Sequence, residues 1–293
     1  MNKMISEEQL AFIPGRSMSD HCILAQEIFH KFKVSKNKKG LMAAKLDMEQ
    51  AYDSMGWSTL QQILVWYGFP SIFSKFVTEC VLNVRFAIIM NGKKRRWIDA
   101  CSGFCQGCPL SPYLFIMCAQ LLSNAIMQRG HSLGIQLASR GPRITHLLYV
   151  EDVLIFSQAN YGMARQMLKI MEEFGKWTGL KVNANKSQIL FGKSVRKTCK
   201  KKHTRILGFK ALNEWKYLGI KMSISKLKAA DYQDLLAQVL EKLNVWGRRN
   251  ISLGGRIMLL KSSLLNLPNF VITHSMVPKI ILQEIERLCR NFI

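Results

Sequence analysis

The stretch from Ile144 to Ser157, ITHLLYVEDVLIFS, constrains this chain more than any other. Two apolar arms rich in β-prone residues flank the adjacent acids Glu151 and Asp152, so they predict two strands buried on at least one face. A two-residue reversal normally uses Asn-Gly or Asp-Gly, because its backbone needs positive φ. Neighbouring carboxylates at an apolar tip repel each other and lose hydration, which a protein tolerates where a divalent cation binds. A solvated turn that is merely acidic is the alternative, and this stretch alone leaves both open.

The bulk composition points to a polyanionic partner. The 293 residues are 48% hydrophobic, enough for one large domain or two smaller ones, and the formal net charge is +23. Such an excess indicates nucleic acid or an acidic membrane face. Insertion into a membrane is not expected, because the longest apolar run, Tyr113 to Leu122, contains Gln120 and is far shorter than the roughly 20 residues of a spanning helix. The eight scattered cysteines predict a reducing compartment.

A second carboxylate ends another predicted strand. Gly40 to Asp47, GLMAAKLD, is a short apolar segment that stops at Asp47. An aspartate there can be a metal ligand, or it can cap the helix expected from Trp57 to Tyr67. If the two strands are neighbours, Asp47, Glu151 and Asp152 meet at one point, which suits two Mg²⁺ ions about 4 Å apart. With a basic surface, this arrangement predicts a metal-dependent enzyme acting on nucleic acid, without choosing between polymerase and nuclease.

Arg85 to Ile98 predicts a β-hairpin. RFAIIM and KKRRWI flank Asn91-Gly92, the preferred pair for a type I′ turn. The four consecutive basic residues after the turn form either a solvated charged edge or a contact to a nucleic-acid backbone.

The segment Cys101 to Pro112, CSGFCQGCPLSP, predicts a loop before a long helix that runs from Tyr113 to Arg129. Its three cysteines, with Cys105-x-x-Cys108 among them, are compatible with zinc, but no further Cys or His nearby completes four ligands and there is no second CxxC. The alternative is a loop whose glycines let a ligand approach the backbone, with Gln106 as a polar contact.

Two basic residues in turns are open to two interpretations each. Arg16 follows the turn Pro14-Gly15 and is either a solvated loop charge or a phosphate contact. Lys186 lies in the polar turn KVNANKS and is either simply exposed or functional. A separate helical region is predicted to begin near residue 223.

Six motifs in order resemble one family. FIPGR, KLDMEQAYD, SGFCQGCPLSPYLF, HLLYVEDVLIF, GLKVNANKS and KYLGI resemble the reverse transcriptases of LINE-type (non-LTR) retrotransposons, especially those of plants. The resemblance covers nearly the whole chain. It implies an α+β fold: a right-hand polymerase palm, with an antiparallel sheet and packed helices, and partial fingers over residues 1–222. A helical thumb-like region would follow over residues 223–293.

The resemblance also implies roles for individual residues. Asp47, Glu151 and Asp152 would hold two Mg²⁺ ions, with Mn²⁺ as a substitute, and Lys186 would act as general acid toward pyrophosphate. Tyr52 would discriminate against a 2′-hydroxyl. The other expected contacts to RNA template, DNA primer or deoxynucleoside triphosphate are Arg16, Gln106, Gly107, Tyr149, Tyr217, Leu218 and Gly219. The family favours a nuclear location, and no membrane partner is expected.

The chain departs from the family pattern at the hairpin. Glu151 stands where the family has aspartate, and Val150 where a small residue is usual. Glutamate is longer by about 1.5 Å, whereas a working site tolerates about 0.5 Å of misplacement, so polymerisation is expected to be strongly reduced or absent. The expected N-terminal fingers strands and any endonuclease or ribonuclease H domain are missing, which predicts a truncated copy. The competing interpretation is a non-catalytic protein that binds RNA or DNA.

Overall fold

The computed structural model describes residues 4–36, 39–82, 84–247 and 249–293, and it confirms the predicted α+β fold class. The helices are α1 (Met18–Val34), α2 (Trp57–Trp66), α3 (Ser71–Val81), α4 (Ser111–Arg129), α5 (Tyr161–Thr178), α6 (Lys197–Leu207), α7 (Gln233–Gly247), α8 (Leu253–Leu259), α9 (Asn266–His274) and α10 (Lys279–Phe292). The strands are β1 (Leu41–Leu46), β2 (Met48–Glu49), β3 (Arg85–Met90), β4 (Lys93–Asp99), β5 (Ile135–Gln136), β6 (Arg143–Ile144), β7 (His146–Tyr149), β8 (Asp152–Gln158), β9 (Lys181–Val182), β10 (Gln188–Phe191), β11 (Lys210–Leu212), β12 (Glu214–Tyr217) and β13 (Ile220–Ser223).

A central sheet organises the part of the chain before residue 213. Its strand order in the described residues is β11-β10-β1-β8-β7, antiparallel except for the β10–β11 pair. Alternate side chains of β1, among them Met42 and Leu46, are buried in one core with Phe115 of α4 and Phe174 of α5. The period-two alternation of a strand explains this sharing of one face.

Some helix ends follow local sequence signals. The Ser17 side chain accepts the Ser19 N–H at the start of α1, and Gly179 ends α5 with φ +81°. The alternative role of Asp47 as a helix cap is wrong, because α2 begins after Gly56 and has no side-chain cap.

The hairpin of β3 and β4 is confirmed. Asn91 and Gly92 both have positive φ, +50° and +75°, between the paired residues Met90 and Lys93. The register shifts beyond Ala87, so that two arginines of β4 stand against a single residue of β3. Nearly every residue of both strands is exposed, the apolar ones included.

Contacts divide the chain into two compact units: Met1–His21 with Lys31–Leu212, and Cys22–His30 with Asn213–Ile293. In the second unit, β12 pairs with β13, and α7, α9 and α10 form small apolar clusters. The domain boundary at residue 222 stays a prediction. No helix among the described residues combines the length and apolar character needed to cross a bilayer.

Candidate active site

The strands that end in the predicted catalytic aspartates are neighbours, as expected. β1 pairs antiparallel with β8, and Leu46 lies opposite Val153. The same register, continued by one residue, sets Asp47 opposite Asp152, the first residue of β8. Two aspartates that are distant in the sequence therefore occupy facing positions at one end of the central sheet.

The acidic hairpin closes through an unfavourable residue. Tyr149 pairs with Asp152, so Val150 and Glu151 make a two-residue reversal, and Val150 has φ +54°. A β-branched residue rarely adopts this conformation, which costs on the order of 1–3 kcal/mol and persists only where surrounding contacts offset that cost. The Val150 N–H donates to Gln9 Oε1 at 3.4 Å, and the Val150 side chain is buried. The hairpin tip is thus held by a side chain from the start of the chain.

That N-terminal segment is itself fastened to β7. Leu148 donates its N–H to Glu8 O at 2.7 Å, and Leu10 donates to Leu148 O at 3.2 Å. The guanidinium of Arg16 donates to three carbonyls of the same segment, those of Ile5, Ser6 and Gln9. Arg16 therefore organises the backbone that supports the hairpin, while its predicted contact to template or triphosphate stays a prediction.

Lys45 forms an ion pair with Asp152, one of the two aspartates that would bind a metal ion. Lys45 Nζ lies 3.1 Å from Asp152 Oδ1, and both side chains are partly exposed. Within the described ranges, no three His, Cys, Asp or Glu side chains gather as a metal site would require. Carboxylate oxygens are nevertheless the donors that Mg²⁺ prefers, so the pair Asp47 and Asp152 suits this ion by ligand type. Ligation by all three acids, Glu151 included, stays a prediction.

The backbone of Asp47 is fixed by the polar turn that carries Lys186. Ser187 Oγ accepts the Asp47 N–H at 3.0 Å, and the Asn183 N–H donates to Asp47 O at 2.8 Å. Asn183 Oδ1 also accepts the Lys186 N–H at 3.2 Å. The exposed Lys186 thus lies in a turn that is hydrogen-bonded directly to the strand end of Asp47.

The cysteine-rich loop docks onto the segment after Asp47. Phe104 donates its N–H to Tyr52 O at 2.7 Å, and Ser102 Oγ donates to Asp53 O at 2.8 Å. Gly103 has φ +84°, and a Cβ there would meet Asp53 backbone atoms at 2.5–2.7 Å, so this close approach requires glycine. Gln106 Nε2 lies 3.5 Å from Asp53 Oδ1. Gln106 is therefore held beside the same segment.

Tyr52 contacts α4 and also lies near the acidic hairpin. Its ring stacks on Phe115 of α4, with centroids 4.8 Å apart and planes inclined by 18°. Burial raises the pKa of the Tyr52 hydroxyl above its usual value, and the negative charge of Glu151 raises it further. The hydroxyl therefore lies within electrostatic reach of the hairpin tip.

Three predicted residues lie in the second unit. Tyr217 is fully buried at the end of β12, and Leu218 and Gly219 form the reversal to β13 with φ +47° and +79°. A Cβ on Gly219 would come within 3.2 Å of the Phe270 ring, so glycine allows this packing. A contact of these residues with the primer stays a prediction.

In the first unit the structure thus links Asp47, Tyr52, Gln106, Tyr149, Glu151, Asp152 and Lys186 through neighbouring strands, hydrogen bonds and charge. Gly107 has φ +87° and open space where a Cβ would project. Sequence reasoning missed Gln9, Lys45, Gly103 and Ser187. Their contacts described above join residues 50–141 positions apart, so no local pattern could have indicated them.

Comparison with solved structures gives the fold class. A telomerase from Candida tropicalis, solved in complex with a TWJ fragment of telomeric RNA, matches 97% of this chain and 43% of its own with a TM-score of 0.52 and 12% identity. The likeness shows a shared polymerase-type fold, as predicted for the palm. A family model then makes the assignment: residues 1–222 match the reverse transcriptase (RNA-dependent DNA polymerase) family, and the chain belongs to it.

Two relatives indicate which kind of reverse transcriptase this chain is related to. The Pol polyprotein of the type-2 retrotransposable element R2DM of Drosophila melanogaster is 24% identical over 225 residues, which are 72% of this chain and 20% of that protein. An uncharacterised mitochondrial protein of Arabidopsis thaliana is 40% identical over 75 residues, 25% of this chain and 62% of that protein. The chain is thus related to non-LTR retrotransposon proteins, as the motifs predicted, and spans about a fifth of the polyprotein's length.

Proposed function

We propose that this chain is the RNA-directed DNA polymerase centre of a non-LTR retrotransposon. Its substrates would be an RNA template, a DNA primer and deoxynucleoside triphosphates. The observation that carries the proposal is the strand register, which sets Asp47 opposite Asp152 at one end of the sheet. Tyr52 and the loop of Gln106 adjoin this position through the segment that follows Asp47.

Asp47 and Asp152 would hold the divalent cations, with Glu151 as the third ligand. Two Mg²⁺ ions, or Mn²⁺ in their place, would supply the positive charge that activates a primer hydroxyl and stabilises the leaving pyrophosphate. Lys45 neutralises part of the charge of Asp152. Ion binding therefore requires the Lys45 ammonium to move away from this carboxylate.

The other residues would act directly on substrate. The Tyr52 ring, fixed against Phe115, would close the space that a 2′-hydroxyl needs. Gln106 would hydrogen-bond the template or nucleotide, with the backbone of Gly107 open to close approach. Lys186, in the turn bonded to Asp47, would donate a proton to pyrophosphate. Arg16 would contribute mainly by holding the N-terminal segment against the hairpin.

Glu151 is expected to make this centre weak. Its extra methylene moves the carboxylate by about 1.5 Å, several times the misplacement that a catalytic site tolerates. Because the reversal is fixed by Val150 and Gln9, the backbone has little freedom to compensate.

Primer extension on an RNA template, with Mg²⁺ or Mn²⁺, tests the proposal. We expect weak extension by the natural sequence, at least tenfold more for Glu151→Asp, and none for Glu151→Asp combined with Asp47→Asn. Asp99→Asn in the same background is the matched control, since Asp99 lies on the exposed hairpin strand β4. Extension that survives Asp47→Asn would refute the catalytic assignment.

A second candidate function is nucleic-acid binding without catalysis. It is favoured by the exposed hairpin of β3 and β4, which carries Lys93 to Arg96 in succession and the exposed ring of Trp97. Backbone phosphates would meet the charges, and bases would stack on the ring. This function predicts salt-sensitive RNA affinity that is equal in Asp47→Asn and the natural sequence, with no extension in either Glu151 background.

A further inference from the structure

Cys105 and Cys108 are the two ends of one tight turn. The Cys108 N–H donates to Cys105 O at 3.3 Å, and Gly107 has φ +87°, as the third residue of a type II turn requires. A turn of this kind holds its end Cα atoms within about 7 Å, and disulfides join Cα atoms about 4.4–6.8 Å apart. Cys105 is exposed and Cys108 is partly exposed, so both thiols can be reached from solvent.

Cys108 has the surroundings of a reactive thiol. It lies directly before α4, and the Ser111 N–H at the beginning of that helix donates to Cys108 O at 3.2 Å. The polar groups of Leu110 and Ser111 lower the pKa of the Cys108 thiol below its usual value, because they stabilise the thiolate more than partial burial disfavours it. Ser111 Oγ also donates to Cys105 O at 2.8 Å, which fastens both ends of the turn to the helix.

Among the described residues, no group of three or more Cys, His, Asp or Glu side chains is gathered around this pair. We propose that Cys105 and Cys108 form a redox-active dithiol, which a small disulfide such as oxidised glutathione converts to an intramolecular disulfide around Gln106 and Gly107.

The reaction has two exchange steps. The Cys108 thiolate attacks one sulfur of the small disulfide, forms a mixed disulfide and releases one small thiolate. Cys105 loses its proton to solvent, and its thiolate attacks the Cys108 sulfur and displaces the second small thiolate. The two protein thiols together lose two protons and two electrons, and the small disulfide takes up both electrons as it becomes two thiolates.

Closing the disulfide would restrain Gln106, the side chain between the two sulfurs. This consequence rests on the proposed function, in which Gln106 contacts template or nucleotide. Oxidation is therefore expected to lower primer extension, and a dithiol reductant is expected to restore it. The chemical event itself is independent of polymerase activity and is measured separately.

The test treats the reduced full-length chain with oxidised glutathione and maps every cysteine by differential alkylation and mass spectrometry. We expect loss of two of the eight thiols, with both in a Cys105–Cys108 link. In Cys105→Ser a stable glutathione adduct should remain on Cys108. In Cys108→Ser no link should form, and Cys105 should react no faster than Cys101.

Cys101→Ser is the matched control, since Cys101 is exposed in the same segment and should not affect the link. A lasting adduct on Cys108 in the natural sequence, or equal oxidation of Cys80, Cys101 and Cys105, would overturn the dithiol proposal. If the link forms and no preparation extends a primer even as Glu151→Asp, the proposed function fails and the dithiol stands. If extension occurs and no link forms, the dithiol alone fails.

Discussion

At the scale of single residues, Gln9 helps to hold the active-site hairpin in its conformation. Its Oε1 accepts the N–H groups of Ala11 and Val150, and the residue is almost completely buried. Gln9→Ala would leave these N–H groups without their acceptor, so we expect a loss of about 1–3 kcal/mol in the free energy of unfolding, measured by urea denaturation. Gln61→Ala, an exposed glutamine on α2, should change it by less than about 0.5 kcal/mol. Equal losses would show that Gln9 does not support the hairpin.

Lys45 gives a second prediction at this scale. Its ammonium neutralises Asp152, so Lys45→Met should strengthen binding of Mn²⁺ at the candidate site. A partly exposed ion pair contributes at most about 1 kcal/mol, which corresponds to about a fivefold lower dissociation constant. The dissociation constant is measured by titrating the protein with Mn²⁺ and following water-proton relaxation enhancement, with Lys186→Met as the comparison. Weaker binding in Lys45→Met would mean that this lysine orients the carboxylate instead of competing for it.

Residues of the site differ in how well the sequence predicted them. Asp47 and Asp152 could be found because Asp47 directly follows one apolar strand and Asp152 begins another, and strand ends collect at sheet edges. Gln9 and Lys45 could not, because an amide 141 residues from its partner and a lysine inside a strand have no distinguishing local pattern. The two-residue reversal at Val150 violates turn preferences, and only tertiary contacts explain why it forms.

At the scale of elements, Asn91-Gly92 was sufficient to predict the β3–β4 hairpin, because few other dipeptides adopt two positive φ values. The exposure of both faces was not predictable, since RFAIIM has the composition of a buried strand. In the part of the chain that the structure describes, six large apolar side chains of this hairpin are exposed: Phe86, Ile88, Ile89, Met90, Trp97 and Ile98.

The hairpin's charge gives a prediction at this scale. Changing Lys93, Lys94, Arg95 and Arg96 together to Gln should weaken binding of single-stranded RNA without changing the circular dichroism, because these side chains are exposed. If all four contact phosphates, the slope of log affinity against log salt should become shallower by about 3. The charge-matched control on α6 changes Lys197, Lys200, Lys201 and Lys202 to Gln. An equal effect in both variants would assign the binding to net charge and not to the hairpin.

At the scale of the whole molecule, the first unit is joined internally by a buried polar network that composition could not reveal. His146 is fully buried, with Nε2 2.8 Å from Ser123 Oγ, and Ser123 Oγ lies 2.8 Å from Ser6 Oγ. The network links β7, α4 and the N-terminal segment that supports the hairpin. Burial lowers the pKa of His146 to about 3, and burial with the nearby Arg16 charge lowers that of His21 to about 4.

These histidines predict how stability depends on pH. Both fold in the neutral form, whereas the unfolded chain takes up their protons near pH 6.5. Stability is therefore complete above about pH 6.5 and falls as the pH drops toward 4, by on the order of 3 kcal/mol for each buried histidine. Urea denaturation of the full chain between pH 7.5 and 4.5 measures this loss.

Two histidine variants test the source of the pH dependence. His146→Gln should make the free energy of unfolding depend less steeply on pH, because one proton fewer is taken up on unfolding. His131→Gln, at an exposed position, should leave this dependence unchanged. Equal slopes in all three proteins would contradict the assignment of the acid sensitivity to this network.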